Sequence, residues 1–328
     1  MTIQNEFNRL ESSFTSLKTA LTNAGVQTPT GYSDVATKID AFPNSIYKLS
    51  MDHFVDYNNY GNYKSPSKDI NARFDGLKRI AVDYALACTF YSTDYLKSIE
   101  FPDLEIINGK GCLLNICNDS ENCKKALFPK LKTISGELSA AGMFIRNTML
   151  DEIDFSNLET IDGRSAFSSS FYQCTKLAGT LNLSKLKHIN NYEACYQTFA
   201  YCTKITSVNL SGLESIGGSG IWTVYQMFVG DTGITSVDLS SLREITGNAC
   251  LDLMFQNCTG LTRIDFPSLT TFTSNNAPFG NIGAEYTFRG CTNLTEIHFK
   301  SSMQSTISSK TGYNDKFGAT NATIYFDL

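Results

Sequence analysis

Hydrophobic and polar positions recur along the last three quarters of the chain in one frame. An apolar residue is followed by Phe or Leu two positions on, by Leu three positions later and often by Ile after three more. The Phe or Leu of successive copies is spaced by 27 to 29 residues, with one step of 33, at Phe74, Phe101, Phe128, Phe155, Leu183, Leu210, Leu239, Phe266 and Phe299. Self-similarity at this period is typical of a solenoid, in which each unit buries its apolar face against its neighbours. The pattern predicts a stack of coils with a long surface suited to binding.

Each copy of the frame predicts a short strand, a bend and a return. Ile234, Val237 and Leu239 alternate as inward residues of a strand, while Leu242 and Ile245 continue the core around the bend. The return ends in a buried aromatic, at Phe171, Phe199, Phe228, Phe255 and Phe288. It has room for one or two helical turns or a 3₁₀ segment. The predicted fold class is therefore α/β, a solenoid with a parallel sheet on one face and short helical or 3₁₀ returns.

The N-terminal segment predicts a helix with an unbroken heptad stripe. Its apolar positions alternate steps of four and three, at Ile3, Phe7, Leu10, Phe14, Leu17 and Leu21. Gly25 stands where a C-terminal cap is expected, and a brief second helix ends before Pro43. The stripe predicts either a coiled coil that joins several chains or a hairpin in which the second helix folds back. We favour the coiled coil and, from it, a homotrimer.

These patterns divide the chain into three parts. Residues 1–43 form a helical attachment segment, residues 44–73 form a connector and solenoid cap, and residues 74–328 form the solenoid. A cap is expected because the open end of a solenoid exposes unpaired strand edges.

Composition and charge argue against two classes of partner, nucleic acids and membranes. The net charge is −5 with no block of Lys or Arg, so we expect no nucleic-acid partner. No apolar run approaches the roughly 18 residues of a membrane helix, and the first residues lack a basic and apolar export signal. We therefore expect no membrane insertion.

The ten cysteines follow the repeat instead of pairing. One column holds a cysteine eight or nine residues before the next Phe or Leu of the frame, at Cys174, Cys202, Cys258 and Cys291. Thr93, Asn147 and Asp231 fill the same column in other units, so the position suits a small, partly polar side chain. No C-x-x-C pair occurs. This predicts reduced, buried packing cysteines and no metal site.

One outward column of the predicted sheet is a candidate contact surface. It holds Glu100, Leu127, Asp154, Asn182, Asn209, Asp238, Asp265 and His298. Such a stripe of carboxylates and amides suits sugar hydroxyls or Ca²⁺. The alternative is a solvated face that stays polar to prevent sheet-on-sheet association, and we favour it. The candidate contact residues of the column are Asp154, Asn182, Asn209, Asp238 and Asp265.

Aromatic residues of the returns form a second candidate surface. Trp222, the single tryptophan, follows a glycine-rich turn and is predicted to be an exposed contact residue, and Tyr225 is a further candidate. Tyr and Trp bring large rigid area with one polar group and dominate binding hot spots. The alternative is that they fill the wall of the solenoid, as the repeated Phe residues are expected to do.

Enzymatic chemistry has little support. None of the histidines, His53, His188 and His298, is spaced from Ser or Cys as a nucleophile–base pair would require, and no metalloprotease, hydrolase or nucleotide motif occurs. We expect a protein that is not an enzyme and holds no cofactor.

The repeats and the N-terminal turn each resemble a known class of protein. The segments Leu261–Leu269, Phe255–Leu261 and Phe288–Leu294 resemble leucine-rich repeats of the bacterial surface-antigen (BspA-like) class. That resemblance implies a horseshoe or rod used for adhesion and host contact, although the units are longer than usual and no export signal or cell-wall tail is seen. The turn Ala24–Gly31 and the helices around it resemble a segment of phage and prophage tail proteins.

The resemblances imply a non-enzymatic attachment protein. We expect a phage tail-fibre or receptor-binding virion component that contacts a host surface glycan or protein, joined to other tail proteins by its N-terminal segment. The alternative is a bacterial adhesin that acts at the cell surface or is secreted.

Overall fold

The computed structural model describes residues 69–218, 221–272, 279 and 286–328. Each coil before the last contributes a first strand, a bend and a second strand of two or three residues, followed by a return. The first strands are β1 (Ile70–Arg73), β3 (Leu96–Glu100), β5 (Lys125–Leu127), β7 (Glu152–Asp154), β9 (Ala178–Asn182), β11 (Lys204–Asn209), β13 (Ser236–Asp238), β15 (Arg263–Phe266) and β17 (Glu296–Phe299). The second strands are β2 (Arg79–Ile80), β4 (Ile106–Ile107), β6 (Thr133–Ile134), β8 (Thr160–Asp162), β10 (His188–Asn190), β12 (Ser215–Gly217), β14 (Glu244–Ile245) and β16 (Thr271–Phe272).

All strand pairs are parallel and join successive coils. The first strands form three sheets, ordered β1-β3-β5-β7, β9-β11-β13 and β15-β17-β18, where β18 is the last strand (Thr323–Phe326). The second strands form one continuous eight-stranded sheet, β16 to β2. The predicted stack of parallel strands is confirmed. The second sheet was not predicted, because the Ile of the frame was assigned only to a bend.

The returns correct the prediction of helical or 3₁₀ segments. Among the described residues of the returns before Phe299, none is helical. In one return the backbone enters the left-handed region at every fourth residue, at Glu193, Gln197 and Tyr201 (φ +51°, +50° and +61°). Between these positions alternate N–H groups bond the next coil and the same turn, as in Cys195 N to Thr223 O (2.8 Å) and Tyr196 N to Glu193 O (3.0 Å). A helix would direct every N–H within its own coil.

Stacked phenylalanines confirm the predicted aromatic filling of the wall. Phe144, Phe171, Phe199, Phe228, Phe255 and Phe288 are almost fully buried, and each ring stacks on the next at centroid distances of 5.2 to 5.9 Å. A second stack runs behind the first strands through Phe74, Phe101, Phe128 and Phe155 at 4.5 to 5.0 Å. Because each ring contacts rings above and below it, the coils share one continuous core.

The cysteine column is confirmed as packing. All ten cysteines are unpaired and buried. In four coils the thiol donates to a phenylalanine carbonyl of the preceding coil, from Cys174, Cys202, Cys258 and Cys291 to Phe144, Phe171, Phe228 and Phe255, at 2.9 to 3.1 Å. Burial raises the pKa of the Cys195 and Cys291 thiols to about 12, so these groups are unreactive.

Asp231 occupies the same column between Cys202 and Cys258. It is fully buried, and neither carboxyl oxygen accepts a hydrogen bond of normal geometry from the described residues, although the Cys202 backbone N–H is close enough to lower the pKa by less than burial raises it. Burial raises the pKa of this carboxyl well above its ordinary value. Asn147, in the same column, donates its amide to the Cys117 carbonyl at 2.9 Å. The column therefore requires a hydrogen-bond donor, which Asp231 becomes only when it is protonated.

The last coil departs from the others. After β17 it contains a 3₁₀ turn (Ser301–Met303), helix α1 (Gln304–Ser308) and a second 3₁₀ turn (Lys316–Gly318), before β18 closes the described stack. Strand β1 lies just before the predicted boundary at residue 74. The predicted coiled coil of residues 1–43 and the connector up to residue 68 lie outside the described residues.

Candidate functional site

The candidate column is aligned by strand register on the side of the first strands. Asn182, Asn209 and Asp238 are register partners across β9, β11 and β13. Asp154 ends the row of the preceding sheet, and Asp265 begins the row of the following one. The structure thus brings three of the five predicted contact residues into one row and places the other two at its ends.

Four members of the column have a structural task that sequence analysis missed. In each, one side-chain oxygen accepts the backbone N–H of a serine two residues later, which turns the chain after the strand. The acceptors Asp154, Asn182, Asn209 and Asp238 lie 2.9 to 3.2 Å from the N atoms of Ser156, Ser184, Ser211 and Ser240. The repeated spacing of Asp or Asn and Ser was the available signal. It explains the polarity of the column without a ligand.

The middle of this side nevertheless forms a distinct surface, which we name the hydroxyl window. It comprises the outward residues of β9, β11 and β13, which are Thr180, Asn182, Ser207, Asn209, Ser236 and Asp238. A shallow depression of about 400 Å³ lies over most of it and extends to Ser240, Asp265 and Pro267. Hydroxyls neighbour one another between coils, with Thr180 Oγ1 2.7 Å from Ser207 Oγ. Small side chains leave this space open.

In the coils before and after the window, several of the equivalent outward positions of the first strands hold ion pairs. Arg73 binds Glu100 and Lys125 binds Glu152, each at 2.5 Å, in the earlier coils. After the window, Arg263 contacts Asp265 at 2.9 Å and Glu296 at 3.0 Å. None of the six window residues is basic, and Asp238 makes no ion pair with any described residue. The window is therefore a nearly neutral row of hydrogen-bonding groups.

The aromatic residues lie on the return side of the same coils. We name Tyr192, Tyr196, Trp222 and Tyr225 the aromatic cluster. Trp222 lies 6.0 Å from Tyr192 and 5.9 Å from Tyr225 between ring centroids, and Tyr196 stacks on Tyr225 at 5.6 Å with ring planes 4° apart. All four are half-buried. Trp222 was predicted to be exposed, but its indole Nε1 is buried and has no acceptor among the described residues.

Two partial catalytic arrangements lie apart from each other. His188 Nδ1 is 2.9 Å from Ser215 Oγ, a serine–histidine contact that the sequence spacing did not reveal. His298 lies 2.7 Å from Asp327 and 3.3 Å from Glu296, without a serine or cysteine in contact among the described residues. Nucleophilic catalysis needs the nucleophile, the base and its orienting group together. Neither place assembles all three. Within the described ranges, no group of three His, Cys, Asp or Glu side chains could hold a metal ion.

Comparison with known protein families gives one match. The profile of the BspA type leucine-rich repeat region matches in six copies, over residues 144–249, 168–282 and 255–316, which together exceed half of the chain. No curated protein matches. No helix in the described part of the chain combines the length and apolar character that crossing a bilayer demands.

Solved leucine-rich-repeat structures are similar at low identity. A leucine-rich repeat protein from Bacteroides ovatus is 20% identical, covering 77% of this chain and 72% of its own, with a TM-score of 0.32. A leucine-rich cell surface protein from Faecalibacterium prausnitzii is 15% identical, covering 80% of both chains, at 0.31. A TLR13–ssRNA13 complex is 13% identical, covering 76% of this chain and 34% of its own, also at 0.31. Likenesses this weak carry no information about function.

Proposed function

Because the chain belongs to the BspA-type leucine-rich-repeat family, we propose that it is a non-enzymatic attachment protein that binds a surface glycan or protein. The hydroxyl window is the observation that carries the proposal. It offers hydroxyls, amides and one carboxylate at a strand spacing of about 4.8 Å. Neighbouring coils close the equivalent positions with ion pairs.

A matched pair of variants tests the window. Ser207→Arg places a long charged side chain in the depression, whereas Thr323→Arg adds the same side chain to the same outward row on β18. The full-length protein is applied to a printed array of surface glycans and to intact bacterial and epithelial cells. We expect Ser207→Arg to weaken the binding of the wild type at least tenfold and Thr323→Arg to preserve it. Equal binding by both variants would exclude the window as the contact.

We further propose that the chain acts in a virion, as a tail-fibre or receptor-binding component. This setting is supported by the resemblance of residues 24–31 to phage tail proteins and by the heptad stripe, whose apolar residues would join three chains and other tail proteins. The second setting, a bacterial adhesin at the cell surface or secreted, is favoured by the family. Both settings use the same binding surface.

Mass and location distinguish the two settings. The virion setting predicts a trimer in light scattering of the full chain and co-purification with phage particles. Leu10→Asp, on the heptad stripe, is expected to give monomers, while Arg9→Asp, off the stripe, keeps the trimer. A monomeric wild type found on intact bacterial cells would instead support the adhesin setting.

A further inference from the structure

The aromatic cluster begins where a column of alternating charges stops. Backbone hydrogen bonds between returns align Asp83, Lys110, Glu137, Arg164, Tyr192 and Ile221 in successive coils. Lys110 pairs with Glu137 at 3.1 Å, and its backbone N–H donates to Asp83 at 2.8 Å. After Arg164 the column turns from charged to apolar, and the guanidinium lies over the Tyr192 ring at 5.3 Å. An acidic residue in place of Tyr192 would have continued the series of ion pairs.

A second column changes over the same coils. Its members are Leu114, Ala141, Ser168, Tyr196, Tyr225 and Asp252, so the large aromatics fill only two neighbouring coils of this series. Beside them, Gln197 Nε2 donates to Gln226 Oε1 at 2.6 Å. Ile221, which adjoins Trp222 in the chain, is 38% exposed. Rings, amides and an exposed apolar residue thus lie together on one surface.

Packing between the rings fixes their orientation. Trp222 contacts Tyr192 in a tilted pair and Tyr225 in an edge-to-face pair, and Tyr196 stacks on Tyr225. Rings held in this way lose little conformational entropy when a ligand binds. The half-buried rings also keep part of their surface in contact with solvent.

Three chemical classes of ligand bind aromatic faces: cations, proline-rich peptides and sugar rings. A cation is disfavoured because Arg164 already occupies Tyr192 and would repel it. A proline-rich peptide in an aromatic groove takes a carbonyl hydrogen bond from the indole N–H of the groove tryptophan, but the indole Nε1 of Trp222 is buried. A neutral sugar needs neither, since its C–H face meets the electron-rich ring face while its hydroxyls bond amides and phenols.

We propose that the aromatic cluster is a second ligand site, separate from the hydroxyl window, which binds a neutral saccharide by stacking on Trp222 and Tyr196. The amides of Gln197 and Gln226 border the stacked rings and bond the sugar hydroxyls. Ile221 extends the apolar floor for a second sugar unit.

The single tryptophan makes the test direct, because all tryptophan emission reports on the cluster. The full-length protein is titrated with hexasaccharides of glucose (α- and β-linked), mannose and N-acetylglucosamine. We expect at least one to shift the emission saturably. Tyr196→Ala is expected to weaken that binding roughly tenfold, which corresponds to the loss of one aromatic stacking contact. Tyr84→Ala, which removes an aromatic that is 51% exposed in a distant coil, is expected to leave it unchanged.

Two further variants serve as controls. One tests whether the loss of binding in Tyr196→Ala reflects misfolding, and the other tests whether the saccharide binds in the hydroxyl window instead. Ile221→Arg keeps every ring but places a charged side chain over the cluster, and it should weaken binding at least as much as Tyr196→Ala. Ser207→Arg, in the hydroxyl window, should bind the saccharide as the wild type does, so failure of the window leaves this proposal standing. The proposal is overturned if no saccharide shifts the emission, if Ile221→Arg binds normally, or if choline or a proline-rich peptide binds instead.

Discussion

The coils before residue 164 and the central coils of residues 164–240 share one core but differ at the surface. In the earlier coils several outward positions form ion pairs between neighbours, as in Arg73–Glu100, Lys125–Glu152 and Lys110–Glu137, while the Ser98 hydroxyl donates to the Asn71 amide oxygen at 3.0 Å. In the central coils the equivalent positions hold the hydroxyl window on one side and the aromatic cluster on the other. Outward residues, and not the repeat itself, therefore distinguish the region that we propose for binding.

Features that continue through both regions show that the difference is local. At the bend between the two strands, alternating charges run without interruption through Lys78, Glu105, Lys132, Glu159, Lys187, Glu214 and Arg243. Their backbones are bonded from coil to coil, as in Glu105 N to Lys78 O at 2.8 Å. This column of charges continues through both regions and ends at Arg243, where Thr270 takes the next place. On the first-strand side and on the return side, by contrast, the ion pairs stop at the central coils. The core does not change at these coils, so stability alone does not explain why the ion pairs stop.

The largest expected effect tests whether the core is common to both regions. Phe171→Ala in the central coils and Phe128→Ala in the earlier coils each remove a fully buried ring that stacks on rings above and below it. Each is expected to lower the free energy of unfolding by about 3–5 kcal/mol. Urea denaturation followed by circular dichroism measures both. Separate transitions for the two regions in either variant would contradict a single continuous core.

The next largest effect is the pH dependence of stability that we expect from Asp231. This aspartate lies in the central coils, in the cysteine column between Cys202 and Cys258. Its folded-state pKa is raised by burial, so folding takes up a proton in the pH window between the pKa of the unfolded carboxyl and that of the folded one. The stabilising contribution of the protonated carboxyl is complete below the pKa of an unfolded aspartate, about 3.9, and is lost as pH rises through the folded value. The slope is at most about 1.4 kcal/mol per pH unit.

Asp231→Cys removes this titration and restores the donor that Cys202 and Cys258 supply in their own coils. The variant is expected to be more stable than the wild type at pH 8, with a difference that shrinks towards pH 4. Urea midpoints across this pH range measure it, and Asp162→Asn, at an exposed carboxylate, is the control. The thiols of Cys202 and Cys258 flank the site, and burial raises the pKa of both, so they remain neutral. A constant difference across pH would show that Asp231 is ionised in the fold.

Much of this fold follows from the sequence because burial imposes a period on it. The apolar frame predicted the stacked strands, the phenylalanine wall and the cysteine column. The returns were missed because their left-handed positions hold residues such as Gln197 and Tyr201 instead of glycine, and a non-glycine residue in that region normally costs about 1–2 kcal/mol. Here hydrogen bonds to the next coil offset that cost, and such contacts between coils cannot be read from one repeat.

The candidate site was only partly predictable for a similar reason. The alignment of Asn182, Asn209 and Asp238 follows from the repeat, but their bonds to Ser184, Ser211 and Ser240 depend on the local turn. The charge column that ends at Arg164 is recognisable only after the register of the returns is known. Trp222 contacts Tyr225 of its own return, whereas its contact with Tyr192 comes from the neighbouring coil and depends on the stacking of the returns.

A smaller effect is expected from breaking the ion pairs of the earlier coils. Glu137→Lys places a positive side chain between Lys110 and Arg164, where opposite charges now alternate. Because the side chains of Lys110 and Glu137 are 42% and 40% exposed, solvent screens the repulsion, which is expected to lower Tm by only about 1–3 °C. Raising the salt concentration should recover most of the loss, since screening weakens interactions between exposed charges.

Thermal melts at low and high salt measure this effect. Glu121→Lys is the control, because Glu121 is an exposed acid of the same coils that forms no ion pair among the described residues. Equal losses of Tm in the two variants would mean that the alternation of charges contributes nothing to the earlier coils.

The smallest effect on stability, together with a clear effect on binding, is expected when an aromatic residue of a central coil is replaced by the charged residue that the earlier coils would have at that position. Tyr192→Glu gives Arg164 an acidic partner one coil away and continues the alternation of Lys110, Glu137 and Arg164. An exposed ion pair of this kind compensates roughly for the lost contact between the guanidinium and the ring, so Tm should change by no more than about 2 °C. The saccharide titration of Trp222 emission should nevertheless weaken severalfold, because one ring of the aromatic cluster is gone. Tyr192→Phe keeps the ring and should bind as the wild type does. A Tyr192→Glu variant that binds normally would mean that the end of the charge column and the aromatic surface are unrelated features of these coils.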